Sequence, residues 1–172
     1  MEQLIIRPAS ISDLGLVQQI GRETFYETFA DSNSEADMQE YLDKSFNAEK
    51  IASELTNPDS HFFLAMENET PIGYMKLNTG AAQTEIRDAV SIEIERIYVK
   101  SDFHGKKVGQ LLYDKALETA LELEKEYIWL GVWEENPKAI RFYEKNGFEA
   151  FDKHVFVVGT DEQIDILMKK MV

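Results

Sequence analysis

The chain of 172 residues contains no cysteine. Disulfide bonds, thiolate metal sites and a cysteine nucleophile are therefore excluded. No apolar run approaches the ~20 residues that a membrane-spanning helix needs, and the N-terminus shows no charged leader followed by an apolar stretch. We therefore expect a cytoplasmic protein that does not act on a membrane.

Basic residues are scarce. The 18 Lys and Arg stand against 32 Asp and Glu, which gives a net charge of −14 at pH 7. Such a surface repels nucleic acid and anionic membranes and attracts cations. The charge is uneven, because residues 31–70 hold ten acidic residues and two Lys, whereas residues 100–115 hold four Lys and two Asp. This pattern predicts a cationic substrate and a separate anionic ligand, although acidity can also serve solubility alone.

The hydrophobic periodicity predicts one α/β domain over residues 1–172, with no repeats or linkers. We expect the order β-α-α-β-β-β-α-β-α-β-β, which gives a mixed central β-sheet flanked by helices. The predicted elements are a strand in 4–10 that ends at Pro8, a helix capped by Ser10 or Ser12 that ends near Phe29, two short helices in 34–56, a hairpin at 61–77, a strand at 91–99, a helix at 107–125, a strand at 127–133, a helix from Asn136 to Gly147, and two closing strands.

The stretch "ERIYVKSDFHGKKVGQLLYDKAL" (95–117) joins a strand to a helix through a basic loop that contains glycine. A helix N-terminus has unpaired N–H groups and the positive end of the helix dipole, and so favours phosphate. Gly105 and Gly109 allow close backbone approach, while Lys106 and Lys107 add charge. The loop matches neither a P-loop nor the dinucleotide fingerprint. It therefore predicts the phosphates of another ligand, although such a turn is often structural alone.

This stretch and "WLGVWEENPKAIRFYEKNGF" (129–148) resemble the two core motifs of the GNAT family of N-acetyltransferases. The first motif is the pyrophosphate loop Gln/Arg-x-x-Gly-x-Gly/Ala, and the second is the helix Asn-x-x-Ala-x-x-x-Tyr-x-x-x-Gly-Phe. The resemblance covers nearly the whole chain. Within the family, "ETFYETFADSNS", "SIEIERIYV" and "IWLGVWEENPKAI" are most similar to the PaiA-type bacterial spermidine/spermine N-acetyltransferases.

The resemblance implies acetyl-CoA as cosubstrate and no metal. It assigns coenzyme binding to Ile97, Tyr98, Val99, His104, Gly105, Lys106, Lys107, Val108, Gly109, Gln110, Asn136 and Tyr143. The chain departs from the loop motif twice, with His104 in place of Gln or Arg and Lys107 in place of the middle glycine. His104 would add positive charge as the pH falls and so strengthen acyl-CoA binding, but an ordinary surface histidine is an equal alternative.

Acetyl transfer to an amine requires a neutral nitrogen. An alkylammonium of pKa about 10.4 costs about 4–5 kcal/mol to deprotonate at pH 7, so a carboxylate base is expected. The resemblance places that base on the strand that carries Glu93 and Glu95, which the period of two puts on one face with Ile97 and Val99. Either glutamate fits, and either could instead form a salt bridge. The resemblance makes Tyr143 a donor to the departing sulfur, although core packing also explains it.

The acceptor site is predicted at Phe29, Glu35 and Trp133. The resemblance puts the first helices over the acceptor, and aromatic rings with carboxylates suit an extended ammonium chain. The alternative is that the aromatic residues are core and the acid is solvated. We expect direct transfer to a polyamine. A protein N-terminus, a lysine, another small amine, or a non-catalytic role as an acyl-CoA sensor stay open, as does a homodimer.

Overall fold

The computed structural model describes residues 3–172. Its strands and helices are β1 (Leu4–Pro8), α1 (Leu14–Phe29), α2 (Glu35–Ser45), α3 (Ala48–Leu55), β2 (Ser60–Glu67), β3 (Thr70–Thr79), β4 (Ser91–Val99), α4 (Val108–Glu122), β5 (Tyr127–Trp133), α5 (Pro137–Lys145), β6 (Glu149–Val158) and β7 (Asp161–Met171). The predicted fold class, one α/β domain with a mixed sheet flanked by helices, is confirmed, but the predicted order has one helix too few before β2. Residues 34–56 form the two short helices α2 and α3, so three helices separate β1 from β2.

The seven strands form one mixed sheet in the order β1-β2-β3-β4-β5-β7-β6. All neighbouring strands are antiparallel except β4 and β5, which are parallel. Their pairing joins only 91–94 to 127–130, although both strands continue beyond these residues. The distal halves of β4 and β5 therefore leave an opening in the middle of the sheet.

Helices cover both faces of the sheet. One core layer contains the apolar side of α4, with Val108, Leu112 and Ala116, and part of α5. The other contains α1, α2 and α3, with Ile20 and Met38 among its fully buried side chains. No helix within residues 3–172 is both long enough and apolar enough to cross a lipid bilayer.

Helix α5 has the local signals that its sequence predicts. The Asn136 side-chain oxygen accepts a hydrogen bond from the backbone N–H of Ala139 at 3.2 Å, and Pro137 lies in the first turn. Gly147 follows the helix with a φ of +95°, a conformation that glycine adopts without a steric penalty. These caps fix both ends of the helix and so the position of Tyr143.

A β-bulge interrupts the pairing of β3 with β4. Leu77 lies opposite Ile94, but the preceding Lys76 lies opposite Arg96, so Glu95 is an extra residue with no partner across the ladder. A bulge of this kind bends the strand and redirects its side chains. Here it changes which residues of β4 share a face.

Beyond the bulge, the alternation of β4 is shifted by one residue. Ile97 and Val99 pack in the same core layer as Ile92 and Ile94, on the α4 side, whereas Tyr98 packs on the α1 side. The prediction that Ile97 and Val99 continue the face of the glutamates is therefore wrong. The period-of-two rule assumes an uninterrupted ladder, and the bulge breaks it.

Candidate active site

A cavity of about 810 Å³ occupies the opening between β4 and β5. Its walls are the distal half of β4, the loop into α4, the start of α5, and aromatic side chains of α1 and α2. The predicted site residues that line it are Phe29, Glu93, Glu95, Ile97, Tyr98, Val99, His104, Gly105, Lys107, Val108, Gly109, Gln110, Trp133, Asn136 and Tyr143. The fold therefore brings the predicted coenzyme loop, glutamates and aromatic residues to one space.

Two predicted site residues lie outside this cavity. Glu35 is exposed in the first turn of α2, where its carboxylate accepts hydrogen bonds from the Tyr26 hydroxyl at 2.9 Å and the Gln39 amide at 3.2 Å. Lys106 is also exposed, and its ammonium lies 5.2 Å from the centre of the Phe103 ring. The structure thus does not place Glu35 at the acceptor end or Lys106 in the coenzyme loop's inner wall.

The loop before α4 turns through two residues with positive φ. Gly105 has a φ of +78° and Lys107 a φ of +65°, so a lysine holds the left-handed conformation that favours glycine. The loop is also tied to β4, because Nε2 of His104 donates to the Val99 carbonyl oxygen at 2.8 Å. This bond gives His104 a structural role in shaping the loop.

Replacing Lys107 by glycine is expected to relieve the left-handed strain and raise the free energy of unfolding by up to about 1 kcal/mol. The same change removes a cation from the loop, so acetyl-CoA affinity should fall. Urea unfolding and calorimetric titration of coenzyme A would measure the two effects. Lys106→Gly, at a residue without positive φ, is the matched control and should not stabilise the protein. Equal stability changes in both variants would contradict the strain argument.

Glu93 is almost fully buried at the cavity wall, with 3 % of its surface exposed. Its Oε1 accepts hydrogen bonds from the Asn78 amide at 3.0 Å and the Thr84 backbone N–H at 2.8 Å, and its Oε2 accepts from the Thr84 hydroxyl at 2.6 Å. Burial raises the pKa of Glu93 above its usual 4.5, although these hydrogen bonds oppose the shift. No cation pairs with this carboxylate within residues 3–172.

Glu95 differs from Glu93 because two cations hold it. Its Oε1 lies 2.7 Å from Nζ of Lys76, and its Oε2 lies 3.1 Å from Nη2 of Arg96. Glu54 of α3 contacts the same pair, 3.0 Å from Nη1 of Arg96 and 3.7 Å from Nζ of Lys76. Burial alone would raise the pKa of Glu95, but Arg96 and Lys76 outweigh it and lower the pKa to about 2.

Tyr143 and Asn136 offer donors to the cavity from α5. Burial raises the pKa of the Tyr143 phenol, so it stays protonated near neutral pH. Within the described part of the chain no group hydrogen-bonds to its hydroxyl, which is therefore free to donate to a ligand. The Asn136 oxygen caps α5, which leaves its amide N–H₂ for the ligand. Asn136 can therefore cap the helix and contact the coenzyme at the same time.

Aromatic rings form the other end of the cavity. Phe29 and Trp133 lie 4.9 Å apart between ring centres, and Phe156 of β6 lies 5.9 Å from Phe29. The indole N–H of Trp133 donates to the Gln163 side-chain oxygen at 2.7 Å, so it faces away from a ligand and only the ring is available. Phe29 and Trp133 belong to the α1-side core and also border the cavity.

Asp165 of β7 and His154 of β6 also line this end, and neither was predicted. They are direct neighbours across the β6–β7 ladder, with Nε2 of His154 3.7 Å from Oδ2 of Asp165. Burial raises the pKa of Asp165 to about 6, against the opposing effect of His154. The two residues lie outside both recognised motifs, so motif comparison could not find them.

The sequence reasoning also missed the residues that hold the glutamates. Asn78 donates to both Glu93 and Glu95, at 3.0 and 2.8 Å. Lys76 and Asn78 alternate along β3, and such polar positions in a strand between apolar residues could have indicated a buried polar group. Arg96 lies within the first motif, at residues 95–117, but the motif itself assigns it no function.

Known proteins are similar to this chain in sequence and in fold. The profile of the acetyltransferase (GNAT) family matches residues 22–148. An uncharacterised N-acetyltransferase of Lactobacillus delbrueckii subsp. lactis is 41% identical over 161 residues, covering 94% of this chain and 93% of that protein. The spermidine N(1)-acetyltransferase of Thermoplasma acidophilum is 30% identical over 154 residues, which are 86% of this chain and 89% of that protein.

Among solved structures, the PaiA N-acetyltransferase from Thermoplasma acidophilum in complex with coenzyme A superposes with a TM-score of 0.81. The two chains are 26% identical, and the match covers 99% of each. The opening in the sheet, the amide-rich loop at the start of α4 and the Tyr143 hydroxyl fit a coenzyme A thioester. Fold and site together define an acyltransferase that uses acetyl-CoA.

The chain belongs to the GNAT family of N-acetyltransferases. Its donor substrate is acetyl-CoA, and the expected role as an acetyl-CoA-dependent enzyme is confirmed at the level of the family.

Proposed function

We propose that this enzyme acetylates a primary amine that carries more than one positive charge, a polyamine such as spermidine or spermine. The observation that carries the proposal is the aromatic end of the cavity, formed by Phe29, Trp133 and Phe156, in a chain of net charge −14. Aromatic faces attract alkylammonium groups, and the negative field steers polycations toward the cavity. The spermidine N(1)-acetyltransferase relative supports the same substrate class.

Glu93 is the better candidate for the base. Both oxygens of Glu95 are held by cations and its pKa is about 2, so it takes up a proton poorly at neutral pH. The raised pKa of Glu93 suits a group that accepts a proton from an ammonium, directly or through one water. Glu95 then has a structural role, as the anion that holds Lys76 and Arg96 under the bulge.

The remaining groups act on the thioester. As the amine nitrogen bonds to the carbonyl carbon, the carbonyl oxygen gains charge, which a backbone N–H of residues 97–99 stabilises by hydrogen bonding. The carbon–sulfur bond then breaks, and the Tyr143 hydroxyl donates to the departing sulfur. Because the chain has no cysteine and no serine–histidine pairing in a recognisable motif, we expect the acetyl group to pass directly to the amine. An acetylated enzyme isolated in the absence of acceptor would contradict this mechanism.

The test is release of free coenzyme A from acetyl-CoA in the presence of different amines. We expect kcat/KM for spermidine and spermine to exceed that for butylamine by at least about tenfold, with KM rising as salt screens the acidic surface. Peptides with free N-termini or lysines serve as competing acceptors. Turnover of peptides alone would overturn the polyamine proposal and leave the acetyltransferase assignment intact.

A further inference from the structure

Of the three acids that line the cavity, Asp165 is the one whose carboxylate accepts no hydrogen bond from the described part of the chain. Glu93 accepts three hydrogen bonds, and Glu95 has Lys76, Asn78 and Arg96 as partners. Within residues 3–172 the Asp165 carboxylate accepts no hydrogen bond, and His154, with Nε2 3.7 Å from Oδ2, is the charged group that pairs with it. A ligand with N–H donors could therefore hydrogen-bond to the oxygens of this carboxylate.

Keeping this carboxylate in the cavity is unfavourable in the free protein. Its side chain is only 18% exposed, and burial raises its pKa to about 6. A buried carboxylate that accepts no hydrogen bond destabilises the fold at neutral pH, and His154 at 3.7 Å offsets this cost only in part. A positively charged ligand reverses this effect, since it supplies both charge and hydrogen bonds.

Gly131 keeps the path to Asp165 open. It lies on β5 at the opening between β4 and β5, and a Cβ atom there would be 3.1 Å from Oδ2 of Asp165. Any side chain at this residue would fill the space in front of the carboxylate. Because residue 131 is a glycine, the space in front of Asp165 stays open toward the part of the cavity where β4 carries the glutamates.

The groups around Asp165 suit one end of an alkylammonium. Trp133 lies opposite it on β5, and Phe29 packs against Trp133. Tyr41 of α2 and Tyr98 of β4 are close enough for Asp165 to affect their pKa values. The charged neighbours are His154 and, behind it, Glu85, whose Oε2 lies 3.3 Å from Nδ1 of His154 without a hydrogen bond.

We propose that Asp165 binds the distal ammonium group of the acceptor, the one that is not acetylated, and so makes the enzyme select amines with two or more charges. The inference rests on the proposed function and adds the residue that determines specificity. The reacting nitrogen must be neutral when it attacks the thioester, but the distal nitrogen stays charged. Asp165 therefore acts on the selection of the acceptor and not on the chemical step.

The test compares Asp165→Asn with the wild type on matched acceptors. For the wild type we expect kcat/KM to be at least about tenfold higher for a diamine or spermidine than for a monoamine of equal chain length, since an ion pair in a partly buried site is removed with the second charge. In Asp165→Asn this ratio should fall toward one. The loss should arise from KM for the charged acceptors, with kcat and all monoamine constants little changed.

Glu162→Gln is the matched control, since it removes one negative charge from the exposed side of the same strand. It should keep the wild-type ratio of diamine to monoamine. The ratio is measured within one preparation, so a partly unfolded sample does not affect it. Asp165→Asn should also have a higher melting temperature than the wild type at pH 7.5. This difference should shrink as the pH falls below about 6, because the Asp165 carboxyl of the folded wild type is then protonated and as neutral as the asparagine amide.

The outcomes are distinct. A lost preference in Asp165→Asn with an unchanged preference in Glu162→Gln supports the proposal. Equal losses for monoamines and diamines, or an unchanged ratio in Asp165→Asn, overturn it while polyamine acetylation stands. A wild type that acetylates no amine with two or more charges overturns the proposed function and this inference together.

Discussion

Glu95→Gln should unfold with a free energy about 3 kcal/mol lower than that of the wild type at pH 7. Arg96 and Lys76 lower the pKa of the Glu95 carboxyl from 4.5 to about 2. This shift corresponds to about 3 kcal/mol in favour of the ionised form. Glutamine fills the same space but leaves both cations with Glu54 alone as anion. Removing one partner from a buried network is costly because the other charges stay buried. Urea unfolding measures the difference.

The pH dependence of this effect has a definite sign. Because the folded pKa is lowered, the stabilisation is fully present above about pH 4.5 and is lost as the pH falls toward 2. The gap between the wild type and Glu95→Gln should therefore be much smaller at pH 3 than at pH 7. Glu93→Gln is the matched control on the same strand, and it should not lose stability at pH 7 because burial raises the pKa of Glu93. A similar loss in both variants would contradict the network argument.

Glu93→Gln should reduce kcat/KM by about 10²- to 10³-fold at pH 7 while it leaves coenzyme A affinity close to that of the wild type. Without the base, only the small fraction of acceptor that is already neutral can react. The residual rate should therefore rise about tenfold per pH unit toward the amine pKa of about 10.4, and the deficit should narrow at high pH. Steady-state kinetics from pH 6 to 9.5 measure this profile.

The control for this experiment is Glu118→Gln, on an exposed position of α4 outside the cavity. It should show wild-type activity at every pH. A Glu93→Gln enzyme with wild-type kcat/KM at pH 7, or a large catalytic loss confined to Glu95→Gln at a pH where that variant is fully folded, would assign the base to Glu95 instead.

Much of the fold could be predicted from local signals in the sequence. The caps of α5 at Asn136 and Gly147 depend on neighbours within four residues, so the sequence alone could predict them. The hairpin turn between β2 and β3 and the strand at 127–133 are of the same kind. The loop before α4 could be singled out from the sequence because phosphate binding requires a contiguous run of backbone amides at the start of a helix.

Although Phe29 and Trp133 were predicted, the contacts around Arg96 and Asp165 could not be predicted in the same way. Glu54 meets Arg96 across 42 residues of sequence, and Asp165 meets Trp133 and His154 from three different strands. Such contacts depend on strand order and register, which local periodicity does not encode. The bulge at Glu95 shows the same limit, since one extra residue moved Ile97 and Val99 to the opposite face.

The short pairing of β4 with β5 makes this sheet an incomplete layer. Only 91–94 and 127–130 join the β1–β4 half to the half built from β5, β7 and β6. An extended pantetheine chain that bonds to the backbone of residues 97–99 would lie where the missing strand-to-strand bonds belong. The donor substrate would then take the place of an eighth strand between the two halves of the sheet.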